Sequence, residues 1–288
     1  MLLQGRAGQG WDWYQNLMTE HAIVAATIEP RTQHSLTRDL RRLGVTSGET
    51  LLVHCAMSAL GWIAGGAEAV VRALLGAVTD AGTLVMPSQS SQLSDPANWG
   101  APAVPESWVE TIRAELPPFD PRTTPTRDMG AVAELFRTWP GARRSLHPTC
   151  SFSALGPEAE RITARQSLGE PFGENGPLGY LYRSNARILL LGAGFDACTS
   201  LHMAELKAWP SAPRIAEGSP MMVHGERRWV RFEVVAGYPD RFPQIGRDLV
   251  RQGLIQTGAV GSATCHLMSM PDIVDAAARI MAGEGAPF

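Results

Sequence analysis

The chain has 288 residues, of which 44% are hydrophobic and 18% are charged, and its formal net charge at pH 7 is −3. That hydrophobic content can fill a sizeable core, so a mainly disordered chain is excluded. The slightly acidic balance excludes a generally basic surface that grips nucleic acid through its phosphates. No apolar run approaches the roughly 20 residues that span a bilayer, and no secretory signal is evident, so we expect a cytoplasmic protein without a membrane partner.

A leader and a short helix are predicted at the start of the chain. Residues 1–20 are rich in glycine and aromatic residues without clear periodicity, so we expect a loosely attached leader ahead of one domain over residues 21–288. Ser35 can cap a helix whose leucines recur every three or four positions, and Gly44 is placed to end that helix.

Residues 50–87 carry the pattern of a parallel βαβ unit. Residues 50–55 form a short apolar run that is typical of a buried strand, and residues 83–87 form another. Between them, Gly65 and Gly66 open an amphipathic stretch that predicts a helix. A strand, a glycine turn, a helix and a second strand imply parallel pairing through a crossover.

Residues 88–126 differ from the regular elements on either side. They are rich in serine and proline, and we expect a long surface excursion that carries binding residues, with one short amphipathic piece inside it. The whole pattern predicts one α/β domain with a mixed central sheet flanked by helices. The remaining predicted elements are helices at 128–138, at Pro157, after Ser200, at 244–251 and at 273–281, and strands at 149–154, 187–191, 229–235 and 254–266.

Two glycine-rich turns could each shape a ligand site. The turn from Ser58 to Gly66 precedes a helix N-terminus, where unpaired N–H groups suit a phosphate or diphosphate, but it lacks the Lys-Ser/Thr pair of a P-loop. A plain tight connection would use the same glycines. The second turn, G-x-G-x-x-A over residues 192–197, has no strand that places an acid about 20 residues further on, which disfavours a dinucleotide site.

His147 is a candidate base for proton transfer. Pro148 biases it away from helical geometry, towards an extended conformation before a strand, and imidazole titrates near neutrality. A histidine that only forms a hydrogen bond at this place is the alternative. Cys150 and Cys55 each lie near a histidine in sequence, so covalent thiol catalysis is conceivable, although buried inert cysteines are commoner.

His202 and Glu205 form a second candidate pair. Three residues apart, they share a face at the start of a predicted helix. The carboxylate could orient an imidazole or bind a cationic substrate, and a local surface contact would use the same spacing. The pair could also supply two metal ligands, but the other ligands of such a site are not evident and no metal is expected.

Several long blocks in the right order resemble the aminoglycoside 3-N-acetyltransferases, antibiotic-resistance enzymes that use acetyl-coenzyme A. The resemblance runs from about residue 36 to residue 281 and implies that family's own α/β fold, unlike the Gcn5-type acetyltransferases. The matching blocks are LLVHCAMSALGWIAGG (51–66), GTLVMPS (82–88), DPANWGAPAVPESWVETIR (95–113), FDPRTTPTRDMGAVAELFR (119–137), RSLHPTCSFSALG (144–156) and LLLGAGFDACTSLHMAE (189–205).

The resemblance implies roles for particular residues. His147, in R-S-x-H-P-x-x-S-F, matches the family's essential histidine, expected to deprotonate the 3-amino group of a 2-deoxystreptamine antibiotic. Glu205 matches an acidic position in the same cleft, and Cys55-Ala56 and Cys198 depart from the usual Ser-Ser and Asn. Acetyl-coenzyme A is expected as co-substrate, in contact with Ser58, Leu60, Gly61, Trp62, Gly65 and Gly66.

The implied reaction is direct attack of the amine on the thioester. Backbone amides of the Ser58–Trp62 turn or the hydroxyl of Thr199 would stabilise the oxyanion. A polycationic drug calls for carboxylates, and the expected substrate-binding residues are Asp95, Glu106, Asp120, Thr199 and Glu205. The alternatives are an acetyltransferase for another small amine and a non-catalytic protein that binds coenzyme A or a nucleotide. Either a monomer or a homodimer would be compatible with the sequence.

Overall fold

Nine strands form one large sheet and one separate hairpin in a computed structural model, which describes residues 13–100 and 102–288. The strands are β1 (Thr50–Cys55), β2 (Thr83–Pro87), β3 (Arg143–Arg144), β4 (Phe152–Leu155), β5 (Arg187–Leu191), β6 (Arg214–Val223), β7 (Glu226–Val235), β8 (Ile255–Val260) and β9 (Ala263–Ser269). The α-helices of the described residues are α1 (Trp13–Ala26), α2 (Gln33–Arg42), α3 (Gly66–Val78), α4 (Val109–Glu115), α5 (Gly130–Arg137), α6 (Ala159–Thr163), α7 (Pro177–Arg183), α8 (Ser200–Ala208), α9 (Phe242–Arg251) and α10 (Met270–Glu284).

The large sheet is mixed, as predicted. Its strand order is β3-β4-β2-β1-β5-β9-β8, and β1 lies parallel to both β2 and β5 while every other neighbouring pair is antiparallel. The three parallel strands therefore end at the same edge of the sheet. In open α/β sheets, ligands bind in the crevice beyond these carboxyl ends.

Two hydrophobic cores cover the two faces of the sheet. Leu51 and Val53 pack with α2, α3 and α5, whereas Leu52 packs with α7, α8, α9 and α10 on the opposite face. Because side chains of a strand alternate between faces, a strand that is covered on both sides must be apolar at every position. This is why the parallel strands were recognisable as short continuous apolar runs.

Three local features differ from the sequence-based expectation. Thr32, not Ser35, caps α2: the two residues exchange backbone-to-hydroxyl hydrogen bonds of 2.9 and 3.1 Å in a capping box. β4 begins at Phe152, because the preceding amides bond to an imidazole rather than to a strand. β6 was not predicted, since Gly218 and Pro220 argue against a strand, yet it pairs with β7 along its whole length.

The start of the chain is only partly described. Residues 1–12 lie outside the described residues, and α1 begins at Trp13, inside the expected leader, so the boundary at residue 20 stays a prediction. Within residues 13–100 and 102–288, no helix is long and apolar enough to cross a membrane.

Candidate active site

A small cavity opens between the start of α8 and the β6–β7 hairpin. Its volume is about 60 Å³, which admits one small group, such as an amine with its carbon, so most of a larger ligand would lie outside it. The loop after β5 leads directly into α8, which brings this helix to the carboxyl edge of the parallel strands. The lining residues are Thr149, Cys150, Glu170, Pro171, Phe172, His202, Glu205, Leu206, Glu217, Val234, Val235, Ala236 and Gly237.

A histidine–glutamate pair on the first turns of α8 lines this cavity. Glu205 Oε2 lies 2.7 Å from His202 Nδ1, and Glu205 Oε1 accepts the Tyr238 N–H at 2.7 Å. The carboxylate is therefore held at both oxygens, and His202 Nδ1 carries the proton that it donates to Glu205. His202 Nε2 forms no hydrogen bond with any described residue, so its lone pair can accept a proton from a ligand.

Aromatic and backbone contacts hold the His202 ring in one orientation. Phe172 stacks on it with ring centroids 4.9 Å apart, and Phe242 meets it edge-on at 4.8 Å. The backbone of Gly237 also lies against the ring, because a Cβ there would be only 3.0 Å from both Cε1 and Nδ1 of His202. A glycine at this position lets the chain approach the imidazole closely.

Three carboxylates surround the cavity. Glu170 forms an ion pair with Arg214, and Glu205 holds His202. Glu217 is buried, and its Oε1 accepts the Asp95 N–H at 2.5 Å and the Gly218 N–H at 2.8 Å. Burial raises the pKa of Glu217 despite these bonds. A cation in the cavity would offset the cost of burying the charged form of Glu217, so the cavity favours a positively charged group.

His147 lies behind Thr149 and Cys150 rather than in the cavity lining. Its side chain is 1% exposed, and its Nε2 lies 3.2 Å from the Leu168 carbonyl oxygen. Its Nδ1 accepts the N–H groups of Thr149 and Cys150 at 3.2 and 3.0 Å, and burial lowers its pKa to about 4. A base at this place would first have to break hydrogen bonds to the main chain, so the geometry suits a role in closing the turn before β4.

The cysteines near these histidines are not activated. Burial raises the pKa of Cys150, which lines the cavity, to about 12, and it raises the pKa of Cys55 to about 12 as well. Both thiols therefore stay protonated at neutral pH, although the thiolate is the nucleophilic form. His147 accepts the backbone N–H of Cys150, at 3.0 Å, and does not deprotonate its thiol. These observations disfavour covalent thiol catalysis.

The glycine turn predicted to bind the coenzyme lies at the carboxyl edge of the sheet. The Ala56 N–H donates to the Leu191 carbonyl at 3.0 Å, which ties the start of the turn to the end of β5. Gly65 and Gly66 have φ of +90° and +54°, a conformation that glycine adopts without strain, and α3 begins at Gly66.

The middle of this turn has an exposed side and a buried side. Ser58 is exposed and Trp62 is 36% exposed, whereas Leu60 is fully buried and supports the turn from within. Gly61 has φ of +88°, and a Cβ there would lie 2.7 Å from Ser262 Oγ on the β8–β9 turn. Of the residues predicted to contact the coenzyme, Ser58 and Trp62 thus have side chains that a ligand can reach.

The predicted oxyanion donors are not equally open to a ligand. The Trp62 N–H donates to Thr27 Oγ1 at 2.8 Å, and the Ala59 N–H donates to the Ala56 carbonyl at 3.0 Å. Both amides are therefore engaged inside the protein. Thr199 precedes α8, and among the described residues its hydroxyl makes only a long 3.4 Å contact, with Nε2 of the buried His54, which a shorter hydrogen bond to a ligand could replace.

Of the acidic residues expected to bind the substrate, Glu205 lines the cavity, whereas Asp95, Glu106 and Asp120 do not. Asp95 receives two hydrogen bonds of 2.7 Å from Arg113 Nη2, so its charge is compensated within the protein. Asp120 accepts the backbone N–H of Arg122 at 2.8 Å, which is the largest contribution lowering its pKa. Glu106 is exposed at the start of a short helical turn. Asp95 reaches the cavity only through its backbone bond to a lining carboxylate.

Sequence reasoning missed two cavity carboxylates, Glu170 and Glu217. Glu170 lies in a Gly/Pro-rich loop without any periodic signal, and Glu217 lies in the strand that glycine and proline concealed. The spacing of His202 and Glu205 did predict their shared helix face. Among the described residues, no group of three or more histidine, cysteine, aspartate or glutamate side chains is placed to hold a metal ion.

Comparison with known proteins identifies the family. Residues 52–282 match the family model described as aminoglycoside 3-N-acetyltransferase. The aminoglycoside N(3′)-acetyltransferase-like protein YokD of Bacillus subtilis (strain 168) is 43% identical over 89% of this chain and 94% of its own length. Aminoglycoside N(3)-acetyltransferase VII of Streptomyces paromomycinus is 36% identical over 90% of this chain and 94% of its own length.

Solved structures agree with the sequence comparison. The crystal structure of YokD superposes with a TM-score of 0.88 at 42% identity, covering 90% of this chain and 96% of that one. AAC-VIa bound to sisomicin gives 0.80 at 31% identity, covering 90% and 100% of the two chains. AAC-IIIb in a binary complex with CoASH gives 0.77 at 29% identity, covering 90% and 99%. This chain therefore belongs to the aminoglycoside 3-N-acetyltransferase family and is an acetyltransferase with that family's α/β fold.

Proposed function

We propose that this enzyme transfers the acetyl group of acetyl-coenzyme A to the 3-amino group of a 2-deoxystreptamine antibiotic, with His202 as the base and Glu205 as its orienting partner. The observation that carries the proposal is the 2.7 Å contact between His202 Nδ1 and Glu205 Oε2 in the lining of a carboxylate-rich cavity. The four free cysteines are consistent with a reducing cytoplasm as the place of reaction.

The acetyl transfer needs a neutral amine and a route for its proton. The amine lone pair attacks the thioester carbonyl carbon, and His202 Nε2 takes the proton that the nitrogen loses. Collapse of the tetrahedral intermediate breaks the carbon–sulfur bond, and the imidazolium returns its proton to the departing thiolate. Glu205 holds the imidazole in the tautomer with a proton on Nδ1 and stabilises the imidazolium. Positioned bases of this kind accelerate reactions roughly 10²–10⁴-fold.

The proposal moves the base from His147 to His202. His147 was predicted from its motif, but both of its ring nitrogens bond to main-chain groups and its side chain is 1% exposed. His202 has one nitrogen on a carboxylate, and its other nitrogen has no partner among the described residues, which is the arrangement that proton transfer requires. Proton transfer to a substrate by His147 remains a prediction that the variants below can test.

The cavity chemistry suits a polyamine substrate. Glu217, which forms no ion pair with a described arginine or lysine, can attract an ammonium group, while the cavity admits the reacting amine next to His202. The Ser58–Gly66 turn would hold the donor, and the hydroxyl of Thr199 would donate to the thioester oxyanion, a contact typically worth about 10²–10³ in kcat. The solved complexes of relatives with sisomicin and with CoASH support these two partners.

The test is acetyl transfer by the purified enzyme, followed as release of the coenzyme A thiol. Sisomicin, gentamicin and kanamycin are compared with a simple amine such as glucosamine, and the acetylated nitrogen is located by NMR. We expect thiol release with the antibiotics and acetylation at the 3-amino group. Faster turnover of the simple amine would favour an acetyltransferase of another substrate class. Calorimetric binding of coenzyme A without any thiol release would favour a non-catalytic binding protein.

A further inference from the structure

Arg31 carries a charge that no described side chain balances. No carboxylate of a described residue lies within 4.0 Å of its guanidinium. Its one side-chain hydrogen bond to a described residue runs from Nη2 to Ser262 Oγ at 3.2 Å, and its buried Nε finds no acceptor among those residues. Burying charged donors without acceptors is costly, so an anion at this guanidinium would be stabilised.

Main-chain hydrogen bonds hold Arg31 next to the Ser58–Gly66 turn. Its N–H donates to the Trp62 carbonyl at 2.8 Å, and its own carbonyl accepts the Ala64 N–H at 2.8 Å. Ser262, which the guanidinium contacts, also lies against Gly61 of the same turn. The guanidinium, the Ser262 hydroxyl and the middle of the turn therefore share one corner of the carboxyl edge.

The positive charge continues along α2. Residues 31–42 contain four arginines and one aspartate, a net charge of +3 in a chain whose total is −3. The single acid, Asp39, is paired with Arg38 and Arg42. A groove on the outer side of α2 is lined by His34, Thr37, Arg38, Arg41 and Arg42. A concentrated positive field beside a site for an anionic cofactor raises the local concentration of that cofactor.

We propose that Arg31 binds a phosphoryl group of the nucleotide half of acetyl-coenzyme A. This half of the coenzyme would extend from the Ser58–Gly66 turn towards the groove on α2. This inference rests on the proposed function, because it assumes that the Ser58–Gly66 turn holds the donor. The guanidinium presents a planar fork that matches phosphate oxygens, and charge-assisted pairs of this kind are the stronger hydrogen bonds. The pantetheine arm would then run from this corner towards Thr199 and His202.

The experiment compares donors that lose their phosphates stepwise. Calorimetry gives the Kd of coenzyme A and of dephospho-coenzyme A, and initial rates give kcat/KM with acetyl-coenzyme A and with S-acetylpantetheine. The proteins are wild type, Arg31→Gln and the control Arg251→Gln, which removes an exposed arginine paired with Asp248 at the end of α9. We expect Arg31→Gln to weaken coenzyme A binding at least roughly tenfold. Its kcat/KM with S-acetylpantetheine should equal that of wild type, and Arg251→Gln should change nothing.

Each outcome has a separate meaning. If Arg31→Gln weakens the binding of coenzyme A but not of dephospho-coenzyme A, Arg31 contacts the 3′-phosphate. If the variant weakens the binding of both ligands, Arg31 contacts the diphosphate. An equal fall in kcat/KM with S-acetylpantetheine would show that Arg31 acts by holding the Ser58–Gly66 turn in place, and it would overturn the inference. Unchanged binding of coenzyme A by Arg31→Gln would overturn it as well. If Arg31→Gln fails to fold, Arg31→Lys keeps the charge without the fork and should weaken binding in the same phosphate-dependent way. Absence of acetyl transfer by wild type would refute the proposed function instead, because calorimetry tests Arg31 without turnover.

Discussion

Two histidines lie close to the same cavity, but their rings differ in burial and in hydrogen-bond partners. His147 is buried before β4, with both ring nitrogens bonded to the main chain and its pKa lowered to about 4 by burial. His202 lies in the cavity lining, where its Nδ1 bonds to Glu205 and its Nε2 has no partner in the part of the chain that the structure describes. Both residues stand in motifs that resemble the same enzyme family, so motif membership alone does not decide which of them is the base.

The difference shows that the partners of an imidazole decide its role. Main-chain partners on both nitrogens use the ring to close a turn and leave no position for a substrate proton. A carboxylate on one nitrogen fixes the tautomer, supports the charge that forms during reaction and leaves the other nitrogen for the substrate.

Replacing His202 should have the largest effect on catalysis. His202→Asn removes the base, and we expect kcat to fall roughly 10²–10⁴-fold. The matched variant His147→Asn should retain most of the wild-type kcat in the fraction of protein that folds. The measurement is the steady-state rate at saturating acetyl-coenzyme A, normalised to the amount of folded protein determined by circular dichroism.

The opposite ranking of these two variants would contradict the proposal. If folded His147→Asn loses activity while His202→Asn retains it, the base is the residue predicted from the motif. The buried ring would then have to exchange its main-chain hydrogen bonds during turnover.

Glu205→Gln should lower kcat by about 10²-fold, which is less than the largest effect expected for His202→Asn. The amide can still accept the Tyr238 N–H, so the thermal midpoint should change little. A neutral partner, however, neither stabilises an imidazolium nor holds its tautomer as firmly. A kcat within twofold of wild type would show that the pair has no role in proton transfer.

The buried histidine should appear in the pH dependence of stability. The pKa of His147 is about 4 in the folded protein and 6.5 as a reference for the unfolded chain, so the folded state binds fewer protons between these values. Its contribution is fully present above pH 6.5 and is lost as the pH falls to 4, by about 3 kcal/mol. His54, whose pKa is also lowered to about 4 by burial, adds a loss of the same sign.

Urea unfolding of wild type and His147→Asn between pH 7 and pH 4 measures this loss. The variant should be less stable at pH 7 but should lose less stability on acidification. Identical slopes for the two proteins would mean that His147 does not stay neutral inside the fold.

Gly237→Ala should have the smallest effect on the reaction. A Cβ at this position would press on Cε1 and Nδ1 of His202 at 3.0 Å, so the ring must shift by a few tenths of an ångström. We expect kcat to fall by roughly tenfold, because small displacements of a catalytic group are costly. The control Gly283→Ala lies in α10, where a Cβ would meet nothing within 4 Å, and should leave kcat unchanged. Equal rates for both variants would show that the ring position is not critical.

Much of the architecture was predictable because it depends on near neighbours in the chain. Strands covered on both faces must be continuously apolar, which marked β1, β2 and β5, and a glycine turn before an amphipathic run marked α3. The three-residue spacing of His202 and Glu205 predicted a shared helix face, since that follows from helical geometry alone. β6 was missed because pairing with β7 overrode the local bias of Gly218 and Pro220.

The partners of the polar residues depend on contacts between distant segments, which local patterns do not encode. Arg113 neutralises Asp95, the backbone of Asp95 in turn positions Glu217, and Tyr238 completes the environment of Glu205. The local sequence around an acidic loop residue is the same whether its side chain contacts a drug or an arginine. Likewise, the local sequence around a histidine before a strand does not show whether its ring is buried or accessible to a ligand. Chain order thus determined the family, the parallel core and the helix that carries His202 and Glu205. Packing of segments tens to more than a hundred residues apart determined which side chains meet at the cavity, because hydrogen bonding and burial depend on position in space.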